Sequence, residues 1–265
     1  MNLSRYEQAA DEAIELAMNT LNSEYSTDTI TWKGKRDYST NLDYAIERKL
    51  KDLLLNLCPE TRFLGEEESA DTELKGYVWV LDPIDGTINF SRGSPLFGVS
   101  LALTLDGEAI VSRVVFPDLK RRYEAAKGKG AFCNGQSIRV SDTPTLSESV
   151  ISTGDFAVRG DIAVRNRQRL KLIEHLSRTC LRVRMLGTAA LDLCFVADGT
   201  HDASIMLSNN AWDVQGGVLI VREAGGYVYD ADGNDHSVSS RQTMCSGAAL
   251  KPHIIRIGRD AVCGS

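Results

Sequence analysis

The segment Trp79-Val80-Leu81-Asp82-Pro83-Ile84-Asp85-Gly86-Thr87-Ile88-Asn89-Phe90 constrains this chain more than any other. It continues an apolar run, Tyr77 to Leu81, that reads as a buried strand. That strand delivers Asp82 at its end, Pro83 forces a turn, and Gly86 permits a sharp backbone. Asp85 follows three residues after Asp82, so two carboxylates meet at the mouth of a buried strand. They repel each other unless a cation sits between them. Oxygen donors with no histidine or cysteine alongside favour a hard cation such as Mg²⁺. Gly86 and Thr87 can present backbone N–H groups to an anion if a helical turn begins there. A bare D-x-x-D also serves as a cap or a solvated turn, so the rest of the string and two further acidic segments matter. Gly65-Glu66-Glu67-Glu68 directly follows the short apolar run Phe63-Leu64, and Asp213 follows Trp212 at the start of a predicted helix. Alone, the first reads as a solvated face and the second as a helix cap.

The surrounding pattern divides the chain into two lobes. Ser4 and Glu7 form a capping box before apolar residues at Tyr6, Ala9, Ala10, Ala13, Ile14, Ala17 and Leu21, which is helical spacing. Thr40 caps a second helix, with Asp43 three residues on, an apolar face from Leu42 to Leu57 and a stop at Cys58-Pro59. Consecutive short strands follow, and Asp106-Gly107 marks a hairpin between Phe97 and Phe116. Residues 1–145 therefore read as an α+β lobe carrying most of the acidic motifs. After Pro144 strands alternate with helices: 150–152, 161–178, 182–185, 188–197, 203–207 and 212–223, the last closed by Ala224-Gly225-Gly226. Residues 146–265 read as an α/β lobe carrying Asp213.

Composition removes several classes of function. The net charge of −6 and the scattered basic residues leave no electrostatic footprint for nucleic acid. No stretch approaches the roughly 18–20 apolar residues that span a bilayer, and the N-terminal segment lacks a signal-peptide pattern. The six cysteines form no C-x-x-C pair and the four histidines lie far apart, so reduced thiols in a cytoplasmic protein are expected and a zinc site is not.

The combined strings resemble the inositol monophosphatase family. They are Gly65-Glu66-Glu67, Asp82-Pro83-Ile84-Asp85-Gly86-Thr87 and Trp212-Asp213 with Glu223-Ala224-Gly225-Gly226. Further matches are Lys33, Asp37, Thr40 and Asp43, the run Gly130 to Gly135, and Gly187-Thr188-Ala189-Ala190. The resemblance implies a five-layered αβαβα sandwich, usually a homodimer, hydrolysing a small phosphorylated metabolite with two or three Mg²⁺ ions and inhibited by lithium. It implies that Glu66, Asp82 and the Ile84 carbonyl hold one metal, that Asp82, Asp85 and Asp213 hold a second, and that Glu66 and Glu67 lie beside a weaker third. Thr87 and Asp43 take the place of the pair that orients and deprotonates the attacking water, so Thr87, Asp43 and Glu66 are the implied catalytic set. The Gly86 and Thr87 amides and Lys33 approach the phosphate. Asp85, Gly187, Thr188, Ala189 and Met206 complete the implied substrate-binding set.

Position 206 departs from the pattern. Relatives that prefer inositol phosphates carry a glutamate seven residues before the helix-start aspartate, whereas this chain has Met206. Asn209 or Asn210 can replace that glutamate, or the substrate has a different alcohol portion: fructose 1,6-bisphosphate, histidinol phosphate or a nucleotide 3′-phosphate. A regulatory binding protein of the same fold is the reading from another class. For a sugar bisphosphate, Arg159, Arg165, Arg167, Arg169 or Lys171 are available to meet a second phosphate, although the sequence does not place them in the site.

Overall fold

The computed structural model describes residues 3–23, 30–34, 36–68 and 73–263. Two packed outer helices, α1 (Ser4–Ser23) and α2 (Asn41–Leu57), cover one face of a seven-stranded sheet. The α2 helix buries Leu42, Ile46, Leu50 and Leu54, the stripe expected from its spacing, and its Thr40–Asp43 capping box is formed. In α1 the helix starts at Ser4 itself, and the Glu7 amide donates to the Leu3 carbonyl, so the expected Ser4 cap lies one residue inside the first turn.

The sheet contains β3 (Arg62–Gly65), β4 (Tyr77–Asp85), β5 (Gly98–Leu105), β6 (Glu108–Phe116), β7 (Arg121–Ala126), β8 (Ala131–Cys133) and β9 (Gln136–Ser137), in that spatial order. Only β3 and β4 run parallel; the rest is a meander whose β5–β6 turn is the predicted Asp106-Gly107, both at positive φ. A separate hairpin, β1 (Ile30–Gly34) with β2 (Asp37–Thr40), leads into α2. One turn of helix, α3 (Thr87–Ser91), follows β4.

The second sheet is built from β10 (Val150–Thr153), β11 (Arg182–Arg184), β12 (Ala203–Met206), β13 (Tyr227–Tyr229) and β14 (Thr243–Ser246), ordered β11-β10-β12-β14-β13. Between the two sheets lie α5 (Ala189–Ala197) and α6 (Ala211–Glu223); α4 (Ile162–Thr179) and α7 (Lys251–Cys263) close the far side. The result is the expected five layers: helices, sheet, helices, sheet, helices. Apolar burial drives the stacking, with Trp79, Phe90, Phe116 and Tyr123 fully enclosed, each contributing on the order of 2–3 kcal/mol.

The sequence reading assigns nothing beyond Gly226. There the chain supplies β13, β14 and α7, and β14 enters between β12 and β13 antiparallel to both. The second sheet is therefore mixed, because β14 arrives through a loop rather than a helical crossover. The stretch between β9 and β10 contains residue 145, but α6 from the second half packs on β4, β5, β6 and β7 of the first sheet. The two halves share their middle layer.

Candidate active site

Strand register sets the site. Gly65 pairs with Leu81 across the parallel β3–β4 ladder, so Glu66 leaves its strand beside Asp82. The β4 strand then runs on to Asp85, longer than the sequence suggests, with its pairing to β5 irregular between Asp82 and Asp85. That irregularity turns the acidic residues out of the regular ladder. From the other half, the loop after β12 brings in the first turn of α6, where Asp213 accepts from the Asn210 amide at 2.8 Å in a capping box. Carboxylate oxygens of Glu66, Asp82 and Asp213 all lie within 4.8 Å of one another.

These acids are enclosed. Asp82 is 2% exposed and Asp85 7%, and a like-charged carboxylate is never far away. Burial, then the charges of Glu66, Asp85 and Asp213, push the Asp82 carboxyl well up from its ordinary value. Burial raises Asp85 to about 6 and Asp213 to about 8, with Glu66 adding repulsion in both cases. Such an arrangement calls for positive charge. Lys33 on β1 supplies some of it, with its ammonium 2.9 Å from Glu66 and 2.6 Å from Glu67. Burial opposes that charge on Lys33, yet the two glutamates hold the ammonium above its usual range. The other Glu67 oxygen, Oε2, is buried and has no hydrogen-bond partner among the described residues. An oxygen-only donor set with an orphaned buried carboxylate oxygen suits a hard divalent cation.

Asp85 sits slightly apart from the tight trio. Its Oδ2 accepts from the Thr188 hydroxyl at 2.5 Å and the Ala190 amide at 2.6 Å, which ties β4 to the start of α5. Thr188 is the N-cap of α5, and Gly187 precedes it at φ 74°. Gly86 caps α3 at φ 91°, where an added Cβ would lie 2.8 Å from the Leu96 carbonyl. Only glycine fits that turn. The Thr87 hydroxyl lies 3.0 Å from the Ile84 carbonyl and 3.4 Å from Asp43 Oδ1. Asp43 is fully buried; burial, partly offset by hydrogen bonds from Thr40, raises it to about 6.

A cavity of about 640 Å³ opens above this floor. Lys33, Glu66, Asp85, Gly187, Thr188, Ala189, Met206 and Asp213 line it, so most of the predicted set converges on one space. Met206, at the end of β12, is 2% exposed. Asn209 and Asn210 both line the cavity, Asn210 as the N-cap of α6 and Asn209 with its Oδ1 buried and, among the described residues, unpartnered.

Sequence reasoning missed Glu47. This α2 residue is 1% exposed, and its carboxylate accepts from the Glu67 and Glu68 amides at 2.7 and 2.9 Å. Gly65 must be glycine to admit it, since an added Cβ would sit 2.3 Å from Glu47 Cδ. The available signal was an acid within the apolar stripe of α2, one turn after Asp43.

The sequence profile of the inositol monophosphatase family matches residues 2–262. An inositol-1-monophosphatase of Caulobacter vibrioides is 36% identical over 231 residues, covering 85% of this chain and 89% of that protein. The chain belongs to the inositol monophosphatase family. It is therefore a phosphatase, a hydrolase of phosphate monoesters. A Thermotoga maritima protein named fructose-1,6-bisphosphatase/inositol-1-monophosphatase is 34% identical, covering 86% of this chain and 85% of its own. The solved structure of Thermotoga maritima IMPase superposes with a TM-score of 0.86 at 30% identity, covering 96% of each chain. Among the described residues no helix is long and apolar enough to cross a membrane.

Proposed function

We propose that this phosphatase releases phosphate from a small phosphate monoester with Mg²⁺ held by Glu66, Glu67, Asp82, Asp85, Asp213 and the Ile84 carbonyl. The observation that carries the reading is the convergence of Glu66, Asp82 and Asp213 oxygens within 4.8 Å, with no histidine or cysteine among them. Magnesium, when bound, supplies positive charge for the phosphate oxygens and makes water acidic enough to attack near neutral pH.

The chain's own groups then do the following. Asp43, with its carboxyl raised to about 6, accepts a proton through the Thr87 hydroxyl from the attacking water. The Gly86 and Thr87 amides and the Lys33 ammonium hold phosphate oxygens. Asp85 is fixed in place by Thr188 and the Ala190 amide, so that one turn of α5 and one strand end move as a unit. The N-terminal lobe thus supplies most of the reacting centre. The C-terminal lobe supplies Asp213 and, through Gly187, Thr188, Ala189 and Met206, the wall that meets the alcohol.

Inositol 1-phosphate is the first substrate to test, given the named activity of the Caulobacter relative. The double name of the Thermotoga relative keeps a sugar bisphosphate beside it. A cytoplasmic homodimer that lithium inhibits completes the reading. Phosphate release from a panel of monoesters, with Mg²⁺ and again after exhaustive chelation, tests it. Turnover that survives chelation, or no turnover on any ester, would overturn it.

A further inference from the structure

A buried polar row in the second sheet takes no part in the phosphatase chemistry. Ser152 pairs with Ser204 across β10 and β12, and Ser204 with Cys245 across β12 and β14, so the three side chains stand side by side on one face. Cys245 packs in the same apolar cluster as Leu191, Leu193 and Cys194 of α5, which turns that face toward the middle layer. Asp192, one turn beyond the Thr188 cap of α5, stands over the row. Asp192 is 1% exposed and the other three are fully buried. Among the described residues, Asp192 Oδ1, Ser152 Oγ and Ser204 Oγ have no hydrogen-bond partner. Ser152 lies near enough to favour the charged form of Asp192 without closing a well-formed hydrogen bond.

Three orphaned oxygens side by side in an apolar surround call for a common partner. Burial, opposed by Ser152 and reinforced by the charges of Asp85 and Asp155, pushes the Asp192 carboxyl well up from its ordinary range. The charged groups that act on it are thus both acids. Asp155 has the Arg169 guanidinium as a counter-charge, whereas no cation among the described residues acts on Asp192. A carboxylate oxygen and two hydroxyls form a hard donor set, and one negative charge is matched by one positive charge. A divalent ion would leave a net charge buried, and a water molecule would satisfy the hydrogen bonds but not the charge. We propose that Asp192, Ser152 and Ser204 bind a monovalent cation, Na⁺ or K⁺, where α5 meets the second sheet. None of the three belongs to the acidic trio or its neighbours. Since Ala189, Asp192 and Met206 all line the cavity, the ion fixes part of the wall on which a substrate rests.

The thermal midpoint of the Mg²⁺-saturated protein, in choline chloride and in NaCl or KCl at equal ionic strength, tests this. Saturating Mg²⁺ keeps alkali ions off the acidic trio. The expected result is a saturable rise with Na⁺ or K⁺, about 3–5 °C at tenfold the half-saturating concentration. Asp192→Asn keeps the shape, removes the charge and should abolish the rise. Ser204→Ala should raise the half-saturating concentration at least about tenfold, since a direct ligand counts for no less than a partner that orients one. That second variant keeps the test decisive should Asp192→Asn fail to fold. Equal midpoints in the three salts would mean that a proton or a water molecule satisfies Asp192, and would overturn the proposal. A rise that grows without saturating, or that the variants retain undiminished, overturns it as well, because the ion then acts elsewhere.

Discussion

Glu47→Gln isolates the support beneath the acidic trio without touching it. The native carboxylate is buried and accepts two backbone amides, Glu67 N at 2.7 Å and Glu68 N at 2.9 Å. Glutamine keeps the shape but offers one acceptor oxygen, so its NH₂ must face one of the two N–H donors. One charge-assisted bond is lost and one amide is left unpaired in a buried place, at a cost of about 2 kcal/mol. Urea unfolding of the metal-free protein should show that loss as a lower midpoint with an unchanged slope. The looser Glu66–Glu68 loop should also weaken Mg²⁺ binding by about 10- to 100-fold, the usual effect of removing a partner that orients a ligand. The Mg²⁺ dependence of phosphate release and calorimetric titration of Mg²⁺ both read this. A Glu47→Gln variant that matches the parent in urea midpoint and in Mg²⁺ affinity would refute the argument that this helix sets the loop.

Asp82→Asn should cut activity by at least ~10³-fold, since the carboxylate at the centre of the cluster is removed, and activity within tenfold of the parent would contradict its assignment. Thr87→Val keeps the shape but deletes the hydroxyl between Ile84 and Asp43; kcat should fall by ~10²-fold with little change in KM, and equal kcat would leave Thr87 as a cap alone. Lithium should inhibit at millimolar concentration, and Asp213→Asn should change that sensitivity together with Mg²⁺ affinity; a flat response to high lithium in the parent would refute this. Burial and the nearby Arg222 charge push His236 down to about 4 from an ordinary 6.5. Its folded form binds fewer protons than the unfolded chain, so its contribution is intact above pH 6.5 and is lost as pH falls toward 4, by up to about 3 kcal/mol. Asp43, Asp85 and Asp213, raised by burial, contribute the opposite slope in the metal-free protein. The test is therefore the difference in urea midpoint between parent and His236→Asn at pH 7 and pH 4.5, and a difference that does not change with pH would count against it.

What the sequence displayed and what it hid follow the range of the interactions involved. The β4–α3 corner was legible because its determinants are contiguous: an apolar strand, a proline, two acids and a glycine at φ 91°. The α2 cap was legible for the same reason, since Thr40 and Asp43 answer each other within one turn. Glu66 could be named but not placed; its position beside Asp82 depends on the Gly65–Leu81 register, a pairing between strands. Glu47 stayed hidden because an acid on a helix is ordinarily solvated, and only the approach of Gly65 encloses it. The arginines of α4 show the limit most clearly. On α4, Arg165, Arg167 and Arg169 look alike in a basic stretch, yet Arg167 is exposed while Arg165 and Arg169 line the cavity. The helical period puts residues two apart on different faces, but 165 and 169, four apart, share one. That shared face meets the site only because β10 and β12 pair in parallel and bring the loops after them to the same edge of the sheet, beside Asp213. The arginines of α4 thus line one cavity with Asp85 of β4 and Asp213 of α6, and what that cavity admits becomes a property of how the two sheets stack.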